Sequence, residues 1–172
     1  VVALTAQNTL GVTDITEAPT SIIDAQLEAV FSDIGVDAAK TGMLFSAATI
    51  ETVAAFLAEN RVPLVIDPVL IASSGARLIQ PDAVDALVSA LFPLATVVTP
   101  NLPEACALAG LPYDDAADRK ELAIAVHELG APAVVVTGGH GNTPVDLLYD
   151  GLDHFEIPVD RVETGATHGA GC

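Results

Sequence analysis

The last four residues, Gly169-Ala170-Gly171-Cys172, carry the most informative chemistry in the sequence. Two glycines and an alanine leave their backbone N–H groups open to an anion, and a helix following them would add the positive end of its dipole. Such an anion hole would stabilise the charge developing on a transferred phosphoryl group without any lysine. A helix terminus would also lower the pKa of the Cys172 thiol, which would suit it to take a proton from a substrate hydroxyl. A small buried cysteine at a helix start fits the same spacing.

Three further polar clusters follow short apolar runs. Asp67-Pro68 comes directly after Leu64-Val65-Ile66. Its carboxylate offers the hard oxygen that Mg²⁺ prefers, or it accepts turn N–H groups before the proline. Asn101 and Glu104 have the spacing of a helix capping box, and a carboxylate so placed could also face a metal-nucleotide through water. Thr137-Gly138-Gly139-His140 allows a close backbone approach to a ligand, or simply a turn out of a strand. His127, His140 and His168 are assigned no chemical step, and Cys106 is expected in the core. There is no GxGxxG after an early strand and no GxxxxGK[ST], which argues against dinucleotide and P-loop folds.

The composition restricts partners. The 172 residues include 23 acids and 6 bases, a net charge of -17, which opposes nucleic acid as a partner. Any anionic ligand must then be held by metal ions and backbone N–H groups. Hydrophobic residues make up 51% of the chain, yet no apolar run approaches the roughly 18 to 20 residues of a membrane span. Cys106 and Cys172 fit neither a disulfide framework nor a zinc site, so a reducing cytoplasm is expected, and no signal peptide is apparent at Val1.

These clusters must be positioned by a scaffold, and the alternation of β-branched runs with helical stripes predicts a parallel α/β sheet. Strands are expected at Leu64–Ile66, Thr96–Val98 and Ala133–Val136, with a weaker one in Val36–Thr41. Helical stripes run through Ile23, Leu27, Val30, Phe31 and Ile34, after a capping pair Ser21 and Asp24, and through Ile50, Val53, Ala54 and Leu57. Two more use Val84, Leu87, Val88 and Leu91, and Leu122, Ala125, Val126 and Leu129. Val145–Tyr149 and His154–Val159, joined by Asp150-Gly151, predict a closing antiparallel hairpin. The expectation is one domain in which the clusters meet at the carboxyl ends of the strands. Ile71 to Leu78 is either a lid or an exposed loop.

Taken together and in order, Thr5-Ala6-Gln7-Asn8-Thr9, Lys40-Thr41-Gly42-Met43-Leu44, Asp67-Pro68-Val69, Asn101-Leu102-Pro103-Glu104, Thr137-Gly138-Gly139-His140 and Thr167 to Cys172 resemble the hydroxymethylpyrimidine/phosphomethylpyrimidine kinases of the ribokinase-like superfamily. The resemblance implies a three-layer α/β/α fold, a mostly parallel sheet with antiparallel strands near the C-terminus, and a domain continuing beyond both ends of this sequence. It implies phosphorylation of 4-amino-5-hydroxymethyl-2-methylpyrimidine, and its monophosphate, by Mg-ATP in thiamine biosynthesis, by a cytoplasmic homodimer.

By the family pattern Gln7 hydrogen-bonds the pyrimidine, and Met43 and Val69 pack on it. Asp67 and Glu104 serve Mg²⁺ and the phosphates; Asn101, Thr137 and Gly139 belong to the ATP site. Gly169, Ala170 and Gly171 form the anion hole, with Cys172 where most ribokinase-like enzymes have an aspartate base. Many members have a lysine in place of Thr137 and a threonine in place of Ala170. The alternatives are a pyridoxal kinase of the same superfamily and a pyrimidine-binding fragment without activity.

Overall fold

The computed structural model describes residues 1–8, 11–71, 77–138 and 145–158. Six strands form one sheet in the order β3 (Ala39–Thr41), β4 (Leu64–Ile66), β5 (Val97–Val98), β6 (Val134–Val136), β7 (Val145–Tyr149) and β8 (His154–Pro158). β3 to β6 are parallel, and β7 and β8 are antiparallel additions. All four expected parallel strands form, as does the closing hairpin, whose turn holds Gly151 at φ +95°. A β-branched run buried against helices has few alternatives to a strand, which is why short runs sufficed to locate them. Leu64, Ile66, Val98, Val134 and Val136 are buried, whereas Val65, Val97 and Val135 are only partly covered.

The helices are α1 (Thr20–Ala29), α2 (Ala47–Glu59), α3 (Ala83–Ala86, continuing through a wider turn to Leu91), α4 (Leu102–Leu108) and α5 (Arg119–Glu128). In α2 the expected stripe of Ile50, Val53, Ala54 and Leu57 is wholly buried. The α1 stripe holds only at its start. Past Ala29 the chain widens into a π-turn over Val30–Ile34, which inserts an extra residue per turn and rotates the pattern. Ile23 is buried and Phe31 meets the edge of Phe56 at 5.0 Å, but Val30 and Ile34 are 41% and 75% exposed. The capping pair Ser21 and Asp24 does not form either: Pro19 is the N-cap, with no side-chain cap bond. Proline pre-sets the backbone for helix entry, so the helix starts earlier than the serine would place it.

One element lies outside the sequence expectation. β1 (Ala3–Asn8) and β2 (Gly11–Glu17) form a separate antiparallel hairpin. Leu4 is 65% exposed and most of the hairpin faces outward, so its residues carry no apolar alternation to betray it. No helix among the described residues is long and apolar enough to cross a membrane.

Candidate active site at the carboxyl edge of the sheet

Parallel strands end on one side, and the structure stacks their first following residues there. The Asp67 N–H donates to the Thr41 carbonyl (3.1 Å), the Thr99 N–H to the Ile66 carbonyl (2.8 Å) and the Thr137 N–H to the Pro100 carbonyl (2.9 Å). Asn101 and Thr137 also form a parallel bridge. Met43, Asp67, Val69, Asn101, Glu104 and Thr137 thus share one edge, although they span more than half the sequence. Met43 and Val69 are both half-buried, beyond β3 and β4 respectively.

Asn101 and Glu104 form a complete capping box. The Glu104 N–H donates to Asn101 Oδ1 and the Asn101 N–H to Glu104 Oε2, each at 2.9 Å. The box holds Glu104 in place while α4 buries it to 3% exposure. Burial pushes its carboxyl pKa up from 4.5 to about 7, with the nearby Asp67 charge adding to the rise. Hydrogen bonds from the Asn101 and Leu70 backbone oppose that shift without cancelling it. Glu104 therefore sits where a cation would be welcome.

Asp67 has such a cation beside it. Lys40 Nζ lies 3.0 Å from Asp67 Oδ2. The Asp67 side chain is 13% exposed, and the Asp67 backbone carbonyl accepts from the Val69 N–H (2.9 Å). No cluster of three or more His, Cys, Asp and Glu side chains suited to a metal occurs among the described residues. A pair of carboxylates nevertheless fits Mg²⁺, which is commonly held by one or two carboxylates plus water and substrate phosphates.

Gly138 is buried beside β7. Its N–H donates to Asp146 Oδ1 (2.6 Å), and a Cβ there would stand 2.1 Å from the Val145 carbonyl oxygen. Glycine is thus required by strand packing at this position, independently of any ligand. Gly139, His140 and the whole of Gly169 to Cys172 lie outside the described residues, as do 72–76 of the Ile71 to Leu78 segment, whose ends Ile71 and Arg77 pair. Cys106 is buried in the core as expected, and His127 Nδ1 lies 2.7 Å from the Ala131 carbonyl oxygen, a structural role.

Gln7 lies outside the six-stranded sheet, exposed on β1, where a register shift between Ala6 and Gln7 changes how the strand presents its side chains. The base of its hairpin is anchored at the N-terminus of α2, next to the sheet edge, because Glu17 Oε1 accepts from the Ser46 and Thr49 hydroxyls. Sequence reasoning gave no role to Glu17 or Lys40. Lys40 did carry a signal, being one of only two lysines and placed at a strand end before Gly42. Glu17 carried none.

Comparison with known proteins agrees with this architecture. Residues 1–172 match the family model described as Phosphomethylpyrimidine kinase. The hydroxymethylpyrimidine/phosphomethylpyrimidine kinase of Mycobacterium tuberculosis (strain ATCC 25618 / H37Rv) is 48% identical over 176 residues, covering 99% of this chain and 64% of that protein. The thiamine biosynthesis bifunctional protein ThiED of Geobacter sulfurreducens is 49% identical over 173 residues, covering 99% of this chain and 35% of that protein. Among solved structures, an ADP complex of Bacillus subtilis pyridoxal kinase superposes with a TM-score of 0.84 at 38% identity, covering 99% of this chain and 66% of that one. The chain spans just under two thirds of the length of the mycobacterial relative. With its ribokinase-like α/β sheet and its match along the full sequence, the chain belongs to the phosphomethylpyrimidine kinase family.

Proposed function

We propose that the protein transfers the γ-phosphoryl group of ATP to the hydroxymethyl oxygen of 4-amino-5-hydroxymethyl-2-methylpyrimidine, and then to the monophosphate, in thiamine biosynthesis. The observation that carries this reading is the pair Asp67 and Glu104 at one strand edge, one carboxylate beside Lys40 and the other buried. Those two carboxylates would hold Mg²⁺, which when bound offsets phosphate charge and orients the ATP. Asn101 keeps Glu104 aimed through the capping box and is bridged to Thr137, which with Gly139 would serve the ATP.

Gln7, Met43 and Val69 hold the pyrimidine, the amide by hydrogen bonding and the two apolar side chains by packing on its ring. Cys172 accepts the hydroxyl proton, while the N–H groups of Gly169, Ala170 and Gly171 stabilise the phosphoryl oxygens. The chain forms one ribokinase-like domain of a cytoplasmic homodimer.

ADP release from Mg-ATP, measured at the protein's natural length with hydroxymethylpyrimidine and with pyridoxal, tests the reading. Turnover with pyridoxal alone would transfer the assignment to pyridoxal kinase, a reading favoured by the likeness to the Bacillus subtilis enzyme. Binding of the pyrimidine without turnover would favour a non-catalytic role. With Cys172 as base, Cys172→Ala lowers kcat far more than it alters KM; an unchanged kcat would leave only the anion hole.

A further inference from the structure

Gln7 and Met43 belong to segments that the sheet does not join, yet a single carboxylate links them. Glu17 is the last residue of β2 and pairs with Ala3 at the base of the hairpin whose outer part bears Gln7. Glu17 Oε1 accepts from both Ser46 Oγ and Thr49 Oγ1. Ser46 is the N-cap of α2, its Oγ in turn accepting from the Thr49 N–H at 3.2 Å, and it closes the loop that leaves β3 through Gly42 and Met43.

The two hydroxyl partners are enclosed, Ser46 at 4% and Thr49 at 0% exposure. Removal of the Glu17 oxygen would leave both hydroxyl protons without that acceptor, away from water, which is the costly way to lose a hydrogen bond. The carboxylate also lies at the N-terminus of a helix of 13 residues, where its charge is favoured.

The loop on the other side of this link has little freedom to absorb a displacement. Phe45 is held at φ +66°, a conformation rare for a bulky side chain. The Ser46 N–H donates to the Leu44 carbonyl and the Gln80 N–H to the Phe45 carbonyl, each at 2.8 Å. A shift at Ser46 is therefore passed toward Met43. On the hairpin side, the Ala18 N–H to Val2 carbonyl bond (2.9 Å) extends the β1–β2 ladder, Val2 and Ala18 pack against the core, and exposed bonds join Val1 to Gln26 of α1.

We infer that Glu17 is a positioning residue for the pyrimidine: it locks the hairpin that carries Gln7 to the loop that carries Met43, so that two walls of the substrate pocket keep a fixed separation. This rests on Gln7 and Met43 being pyrimidine contacts, as proposed above.

Two measurements on the protein at its natural length test it. In the ligand-free protein, Glu17→Ala accelerates amide hydrogen exchange both in residues 3–8 and in residues 42–46, while Glu17→Gln, which keeps an acceptor oxygen, restores most of the protection. In kinetics, Glu17→Ala raises KM for hydroxymethylpyrimidine by about five- to tenfold, the effect of roughly one lost hydrogen bond, and leaves kcat and KM for ATP within about twofold. Thr49→Val removes one hydroxyl at nearly constant volume and gives the same pattern at smaller amplitude, so the test survives poor folding of the alanine variant.

Exchange that quickens in the hairpin alone would overturn the link. So would equal rises in both KM values, since those report general loosening. Unchanged pyrimidine KM in Gln7→Ala and Met43→Ala would instead overturn the substrate reading, leaving the exchange result to judge the link by itself.

Discussion

The Lys40 ammonium nitrogen lies 3.0 Å from a carboxylate oxygen of Asp67. The pair joins adjacent parallel strands at their carboxyl ends, with Lys40 half exposed and Asp67 largely covered. It puts a cation beside the carboxylates that would hold Mg²⁺, in a protein with only 6 basic residues. Where many relatives are expected to carry a lysine, this chain has Thr137; Lys40 supplies a positive charge on the β3 side of the edge.

Lys40→Met should separate stability from metal binding. A partly solvated pair contributes about 0.2–1 kcal/mol, so the denaturant midpoint should barely move. Asp67, freed of its competing cation, should bind Mn²⁺ more tightly in the nucleotide-free protein, as read by electron paramagnetic resonance. Unaltered Mn²⁺ affinity would mean that Lys40 and the metal do not share the Asp67 oxygen.

Glu104 sets a pH dependence. Its pKa is raised from 4.5 to about 7, so between those values the folded state holds more protons than the unfolded chain. Its contribution to the stability of the metal-free protein is therefore greatest below 4.5 and falls as pH rises to 7, by at most about 3 kcal/mol. Glu104→Gln keeps an acceptor for the Asn101 N–H and should flatten this part of the stability curve. Parallel pH profiles for the two proteins would refute the assignment. In the same window Mg²⁺ should bind more tightly as pH rises, because ionisation supplies its ligand.

Asn101→Ala removes one arm of the capping box. The Glu104 N–H loses its partner, at a cost of about 0.5–2 kcal/mol in urea unfolding. The residue 101 N–H that holds the Glu104 carboxylate survives the change, so a fall in activity beyond this loss of stability would report the Asn101 side chain's own part in the ATP site. Asn101→Asp, which retains the acceptor, should recover the stability.

Gly138→Ala tests packing alone. The added methyl would meet the Val145 carbonyl at 2.1 Å, so β6 and β7 must separate or the turn must move. Overpacking of this kind costs about 1–3 kcal/mol, and the strand backbone has less freedom to yield than a side chain. Thermal unfolding should show the loss; an unchanged midpoint would mean the edge is softer than the contact suggests.

Sequence alone located β4 to β6, because β-branched runs buried against helices leave little conformational choice, and the β7–β8 hairpin, through its Asp150-Gly151 turn; of two pairs with capping-box spacing, Asn101 and Glu104 formed the box and Ser21 and Asp24 did not. It also pointed to the strand ends as the candidate site, since parallel strands finish on one side wherever they lie in the chain. Local rules failed where the outcome depended on distant partners. The stripe through Val30 and Ile34 broke because a π-turn, stabilised in the folded protein, rotated it outward. The hairpin β1–β2 went unforeseen because its strands are largely exposed and so carry no apolar alternation. The links Lys40 to Asp67 and Glu17 to Ser46 join residues 27 and 29 positions apart, counted from their numbers. Charge and hydrogen bonding act through space, so only the tertiary structure could choose those partners.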